Sequence, residues 1–287
     1  MSSWFSMILM AGSSFILIPI FLHTLGVEKF GFFIMLYTIS DYLGLGVGWL
    51  GGAGSRLIGV YEATHQIDKI RKISTLTLLI FVSYGIFLFA ISAFASFFFS
   101  PGSERSLTLL SFGLFLLFTF PFHALTSLLF AMNRQVASHL LKSIQIGTYI
   151  LLAFFAISSL PSIFTPFLAM SGSLLIGIIG AGFLKSRFLL TAPKNLDRET
   201  IHEVVIKVGV WTFLYGALLL TFFLDTLFLG FFGSPEMVSR YTVFWQIPNF
   251  FTLLLWRYSE TLHPFYVRLE ASRDDSALHQ TFRNNVL

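Results

Sequence analysis

Apolar runs of helical length recur along this chain, set apart by short polar breaks. A helix needs about 20 mostly apolar residues to cross a hydrocarbon core of about 30 Å. Eight stretches meet that length: residues 4–23, 30–50, 74–99, 107–132, 142–160, 164–184, 207–232 and 241–263. The breaks between pairs read TLGVEK (24–29), SPGSERS (100–106), SLPSIFTP (159–166) and GSPEMVSR (233–240). None of the runs alternates with period two, which excludes a membrane barrel of alternating strands about ten residues long. The pattern predicts an all-α fold, a polytopic transmembrane helical bundle of about eight spans.

Residues 56–72, RLIGVYEATHQIDKIRK, are too polar to span. Leu57, Val60, Tyr61, Ile67 and Ile70 recur there at roughly helical spacing, so the segment reads as an interfacial amphipathic helix. The longest polar connection, 185–206, divides the chain into six spans and then two. This places a six-helix N-terminal lobe in 1–190. The region 191–287 then holds a central loop and the first two helices of an incomplete second lobe.

Composition agrees with the pattern. Charged residues make up 11% of the chain, against about 25% in ordinary soluble domains. The chain has 36 phenylalanines among 287 residues, more apolar surface than a soluble core of this size can hide. With no cysteine, disulfides, thiolate metal sites and cysteine nucleophiles are excluded. The N-terminus, MSSWFSMILMAG, lacks a basic n-region and a small-residue cleavage site, and reads as a retained first span.

The net charge of +4 changes meaning in a membrane protein, where basic residues set topology and do not mark a nucleic-acid partner. Fourteen Lys and Arg fall in one set of connections and three, Lys29, Arg105 and Arg240, in the opposite set. That asymmetry predicts a multi-pass protein of a bacterial or archaeal cytoplasmic membrane with both termini cytoplasmic.

Ionisable residues inside the runs are the candidate sites, because such groups are costly there and usually face a cavity. Asp41 stands about ten residues from either end of its span, or about 15 Å, close to the midplane. Tyr37, Gly44 and Gly48 lie on the same side of that helix. Asp41 is either a pathway acid or a buried structural carboxylate hydrogen-bonded to a neighbouring helix. Gly44, Gly48 and Gly52 form a small-xxx-small series that reads as helix packing.

In the fourth span Thr119, His123 and Thr126 share a face just after Pro121. His123 is a proton relay, since its unperturbed pKa lies near 6.5, or simply a partner for a neighbouring helix. The eighth span carries Gln246, Pro248, Asn249, Arg257 and Glu260, with Arg257 and Glu260 spaced to pair. Arg257, like Arg56 at the mouth of the second span, either snorkels to the interface or grips a pyrophosphate. In TFFLDTLFLGFFG (221–233), Asp225 lies eighteen residues past Lys207, about 27 Å along a helix, and so towards the outer leaflet. No nucleotide loop, paired-histidine metal motif or acyltransferase pair appears. No catalytic residue, metal or cofactor is expected, and the chain does not read as an enzyme.

Several stretches resemble a known family. FILIPIFLHTLGVEKFGFFIMLYTISDYLGLGVGWLGGAGSRLIGVYEA (15–63) resembles the opening of the polysaccharide-export flippases. These are lipid-linked oligosaccharide (O-antigen type) transporters of the MATE-like superfamily. The matching pieces are Pro19, Leu25-Gly26, Phe30-Gly31 and a Gly-rich second span ending in Arg56. LDTLFLGFFGSPEMVSRYTVFWQIPNFF (224–251) resembles that family's seventh and eighth spans, where an Asp precedes a Leu-Gly and a short loop leads to a tyrosine, here Tyr241. His263-Pro264-Phe265 resembles the exit from the eighth helix.

The resemblance implies a truncated MATE-like bundle, one complete six-helix lobe with the first two helices of a second. It implies an alternating-access flippase in the membrane lipid, moving a polyprenyl-pyrophosphate-linked oligosaccharide for surface polysaccharide or lipopolysaccharide synthesis. A proton or sodium gradient would drive it. Asp41, Tyr37, Arg56, His123, Asp225, Asn249 and Arg257 are then the expected substrate or ion pathway. A cation-coupled multidrug exporter of the same superfamily and a non-transporting remnant are the alternatives.

Overall fold

The computed structural model describes residues 2–184, 190–192, 196, 198, 201–202, 204, 216–217 and 224–272. Side chains are described for these except at 2–7, 10–11, 45–46, 48–53, 253–254 and 256–272. Every element among the described residues is helical. The order is α1 (Ser2–Leu25), α2 (Val27–Ala63), α3 (Ile67–Ser96), α4 (Glu104–Ala131), α5 (Gln135–Ser159) and α6 (Phe164–Phe183), then α7 over 224–232 and α8 (Pro235–Ser272). Four of the described helices, α3 to α6, are long and apolar enough to cross a membrane. The seventh expected run, 207–232, lies mostly outside the described residues.

The turns are tighter than the polar breaks imply. Gly26 alone separates α1 from α2, at φ 81, a left-handed conformation that glycine adopts without a Cβ penalty. Ser103 caps α4 by accepting a hydrogen bond from the Ser106 backbone N–H, and Glu104 follows in the first turn, where negative charge suits the helix dipole.

The interfacial helix expected over 56–72 is not formed. α2 runs on to Ala63, a three-residue turn with His65 at φ 56 follows, and α3 starts at Ile67. Of the expected stripe, Leu57, Tyr61 and Ile70 join the core, together with Ile58 and Ile73, while Ile67 is exposed. Lys69 sits 4.9 Å over the Tyr61 ring, a cation–π contact that lets the lysine cover the turn.

Inside lipid, helices gain little from hydrophobic burial against one another, so close packing and interhelical hydrogen bonds hold them. The α3–α4 pair uses both. A Cβ at Gly113 would lie 2.8 Å from the Ser92 Cβ, and Ser92 Oγ donates to the Leu109 carbonyl at 2.6 Å. Pro121 has no N–H to give the carbonyl of Leu117, four residues earlier. Gly85 of α3 packs on that carbonyl, where a Cβ would sit at 3.1 Å. Elsewhere Tyr84 donates to the Leu43 carbonyl at 2.8 Å, tying α3 to α2. Ser138 donates to the Thr126 carbonyl at 2.9 Å and Gln145 to Ser173 at 3.0 Å, joining α5 to α4 and α6.

An aromatic cluster centred on Phe167 of α6 fills the middle of the bundle, with Phe33 at 4.9 Å, Phe112 at 5.3 Å and Phe115 at 5.7 Å between ring centroids. Such pairs contribute about 0.5–1.5 kcal/mol each beyond their burial. They fix α2, α4 and α6 around one point, and the first candidate site begins at its edge.

Candidate functional site

Tyr37 is the outermost member of the aromatic cluster. Its ring stacks on Phe115 at 6.1 Å, and the residue is 36% exposed. Asp41, one turn further along α2, is half-buried and close enough to Tyr37 for the two to interact electrostatically. It is fourteen residues past Val27, about 21 Å along the helix. Among the described residues the Asp41 side chain takes part in no ion pair.

Tyr149 of α5 is within electrostatic range of Tyr37, and His123 of α4 is within range of Lys142 of α5. His123 is exposed on its helix, with its ring edge-on to Phe122 at 6.5 Å. The threonines expected to share its face are occupied within α4: Thr119 donates to the Phe115 carbonyl and Thr126 to the carbonyls of Phe122 and His123. Asp41, Tyr37 and Tyr149 form one series from α2 to α5, and His123 with Lys142 forms a separate pair between α4 and α5. Tyr149 and Lys142 are absent from the residues singled out in sequence. Their spacing of seven puts them on one face of α5, a signal that charge position alone does not carry.

A second polar group forms where α7 meets α8. Asp225 is exposed and accepts a hydrogen bond from the Tyr241 hydroxyl at 3.0 Å, so both ends of the 224–251 pattern meet in space. Trp245 stacks on Tyr241 at 6.1 Å with the rings 9° from parallel. Tyr42 of α2 feels the Asp225 charge. Consecutive residues of α2, Asp41 and Tyr42, thus look towards different polar groups.

The remaining expected residues fall elsewhere. Arg56 is exposed near the far end of α2, fifteen residues past Asp41, and Asn249 is exposed on α8. Arg257 belongs to α8, and its side chain lies outside the described residues, so its pairing with Glu260 does too. Gly48 and Gly52 are helical, with surroundings outside the described residues. Gly44 corrects the packing expectation: a Cβ placed there meets nothing within 4 Å. The close approaches are made by Gly31, Gly85, Gly113, Gly177 and Gly230 instead, because these glycines face a neighbouring helix and Gly44 faces open space.

Fold and site together define the class, a multi-pass membrane protein with polar groups set into a helical bundle. No family model matches the chain, and no curated protein matches it. Solved structures do. Over 99% of its length the chain superposes on the MATE multidrug transporter DinF-BH with a TM-score of 0.79 and 17% identity, covering 67% of that structure. An outward-facing multidrug resistance MATE family transporter of the MOP superfamily gives a TM-score of 0.73 at 17% identity over 99% of the chain, again covering 67% of the match. The chain spans about two thirds of the length of these structures. It has the MATE transporter fold, a six-helix first lobe followed by the first helices of a second.

Proposed function

We propose that this chain works as a membrane transporter, translocating a lipid-linked oligosaccharide across a bacterial or archaeal cytoplasmic membrane by alternating access. The observation that carries the reading is Asp41: a half-buried carboxylate within α2, outside any ion pair among the described residues, one turn from Tyr37 in a fold of the MATE type. A lone acid at the centre of a membrane helix costs about 2.5–3.5 kcal/mol on insertion scales, and acids kept at that cost line substrate or ion paths. A polar headgroup needs a cleft between two lobes, with its lipid tail left in the bilayer. In this reading the lobes divide at 190/191, both termini are cytoplasmic as the distribution of Lys and Arg indicates, and a proton or sodium ion couples at Asp41.

A multidrug exporter is the second reading. The solved structures quoted above are multidrug transporters, and Asp225 with Tyr241, Trp245 and Tyr42 forms an acidic, aromatic-lined patch suited to an organic cation. One experiment separates the two. The chain is expressed in a strain lacking its oligosaccharide flippase and in a strain lacking its multidrug exporters. Restored surface polysaccharide without drug resistance supports the first reading. Resistance without polysaccharide supports the second.

A further inference from the structure

Thr75 of α3 is tied to a residue far along the chain. Its Oγ1 accepts a hydrogen bond from the Thr191 backbone N–H at 2.9 Å and donates one to the Thr191 carbonyl at 3.3 Å, across 116 residues. One hydroxyl therefore answers both backbone groups of a residue in the connection after α6. In the same connection Leu196 packs against the core, and Val204, 1% exposed, is part of it.

The tie lies near one end of the bundle. α3 is 30 residues long, or about 45 Å, so its charged start projects beyond a hydrocarbon core of about 30 Å. Asp68, Lys69, Arg71 and Lys72 belong to that start, and Thr75 follows within a turn. Five consecutive residues, Ile73, Ser74, Thr75, Leu76 and Thr77, are buried. Such a run exceeds one helical turn, so the helix is covered all round here: by α2, by α4 and, at Thr75, by the connection.

A segment sealed on every side favours apolar residues, because a hydroxyl buried without a partner is costly. Three of these five carry hydroxyls, and neither Ser74 Oγ nor Thr77 Oγ1 makes a hydrogen bond. The opposite helix ends are closed differently. Lys29 Nζ lies 2.9 and 3.0 Å from the two carboxylate oxygens of Glu104, which also accepts from Ser162 Oγ at 2.7 Å and the Ile163 N–H at 3.3 Å. That clasp is charged and shared among three parts of the first lobe. At Thr75 the tie is one uncharged hydroxyl, with two unanswered hydroxyls close by in the same helix.

We infer that the stretch at Thr191 is a strap with two positions, seated on α3 with Thr75 as its catch, and lifted. Seated, it fixes the chain leading into region 191–287 to the first lobe. Lifting gives up two hydrogen bonds that water replaces, and it admits water to an end of α3 where hydroxyls lack partners. Neither position strands a charge. The inference does not depend on what the protein transports.

Hydrogen exchange of the full-length protein in detergent micelles, read residue by residue, tests this. The Thr191 amide should exchange about tenfold more slowly than in an unstructured chain, yet at least about a hundredfold faster than the α3 amides of Phe81 and Leu88, because the strap opens while the helix stays folded. Exchange at the unstructured rate would overturn the seat. Exchange in step with Phe81 and Leu88 would overturn the lifting.

Thr75→Val keeps the side-chain shape and removes the hydroxyl. It should abolish the protection of the Thr191 amide and leave Phe81 and Leu88 unchanged, while Thr75→Ser, which keeps the hydroxyl, should match the parent. An unchanged Thr191 rate in Thr75→Val, or equal loss of protection in Thr75→Ser, would overturn Thr75 as the catch. Should Thr75→Val fail to fold, the parent's own rates still decide whether the strap seats and lifts.

Discussion

Asp41 and Asp225 are the same residue in similarly apolar helices, and the structure treats them in opposite ways. Asp225 is exposed and shares its charge with the Tyr241 hydroxyl, sixteen residues away on the next helix. Asp41 is half-buried in α2, in no ion pair among the described residues, with the Tyr37 phenol one turn away. The first is a local contact that helps seat a hairpin. The second is a cost retained within the bundle. Position and partners, and not residue type, separate the two acids.

Substitutions test that contrast. Asp41→Asn should abolish rescue of a flippase-deficient strain at unchanged protein level, and unchanged rescue would remove Asp41 from the mechanism. Asp225→Asn should leave rescue largely intact, because its side chain is exposed and Asn still accepts from Tyr241. Tyr37→Phe should lower the transport rate roughly fivefold, the equivalent of about 1 kcal/mol, measured in vesicles with matched protein. Glu104→Gln should lower thermal stability by about 1 kcal/mol without touching either acid, since its pair with Lys29 is partly exposed and such pairs contribute little. The smallest effect belongs to Tyr241→Phe, about 0.5 kcal/mol for loss of one exposed hydrogen bond, read as a shift in Tm.

What the sequence could show follows from how local each signal is. Apolar length is local, so the helices α1 to α6 and α8 lie on or around the expected runs. Ionisable groups inside those runs stand out one residue at a time, so Asp41 and Tyr37 were legible, and so was the spacing that joins Asp225 to Tyr241. Segment 56–72 misled because an amphipathic stripe looks the same whether its apolar face meets lipid or other helices. Leu57, Ile58 and Ile70 meet helices.

Glycine spacing misled for a related reason. The series Gly44, Gly48, Gly52 has the right period, but whether a glycine touches a neighbour depends on which way the helix is turned. Gly44 meets nothing, while Gly113 and Gly177 stand against Ser92 and Phe122. Contacts between distant residues left no local trace. Lys29 and Glu104 are 75 residues apart, and neither stands in a motif. Lys142 meets His123 only once α5 is laid beside α4.

The most direct measurement follows gradient-driven uptake in proteoliposomes containing the parent chain, Asp41→Asn or Asp225→Asn. The probe is the polyprenyl-diphosphate disaccharide, and an ion gradient is imposed or collapsed by an ionophore. The account predicts that the parent and Asp225→Asn respond to the gradient and lose the response with the ionophore, while Asp41→Asn moves the probe at the same low rate in both conditions. An Asp41→Asn protein that still follows the gradient as the parent does would contradict it.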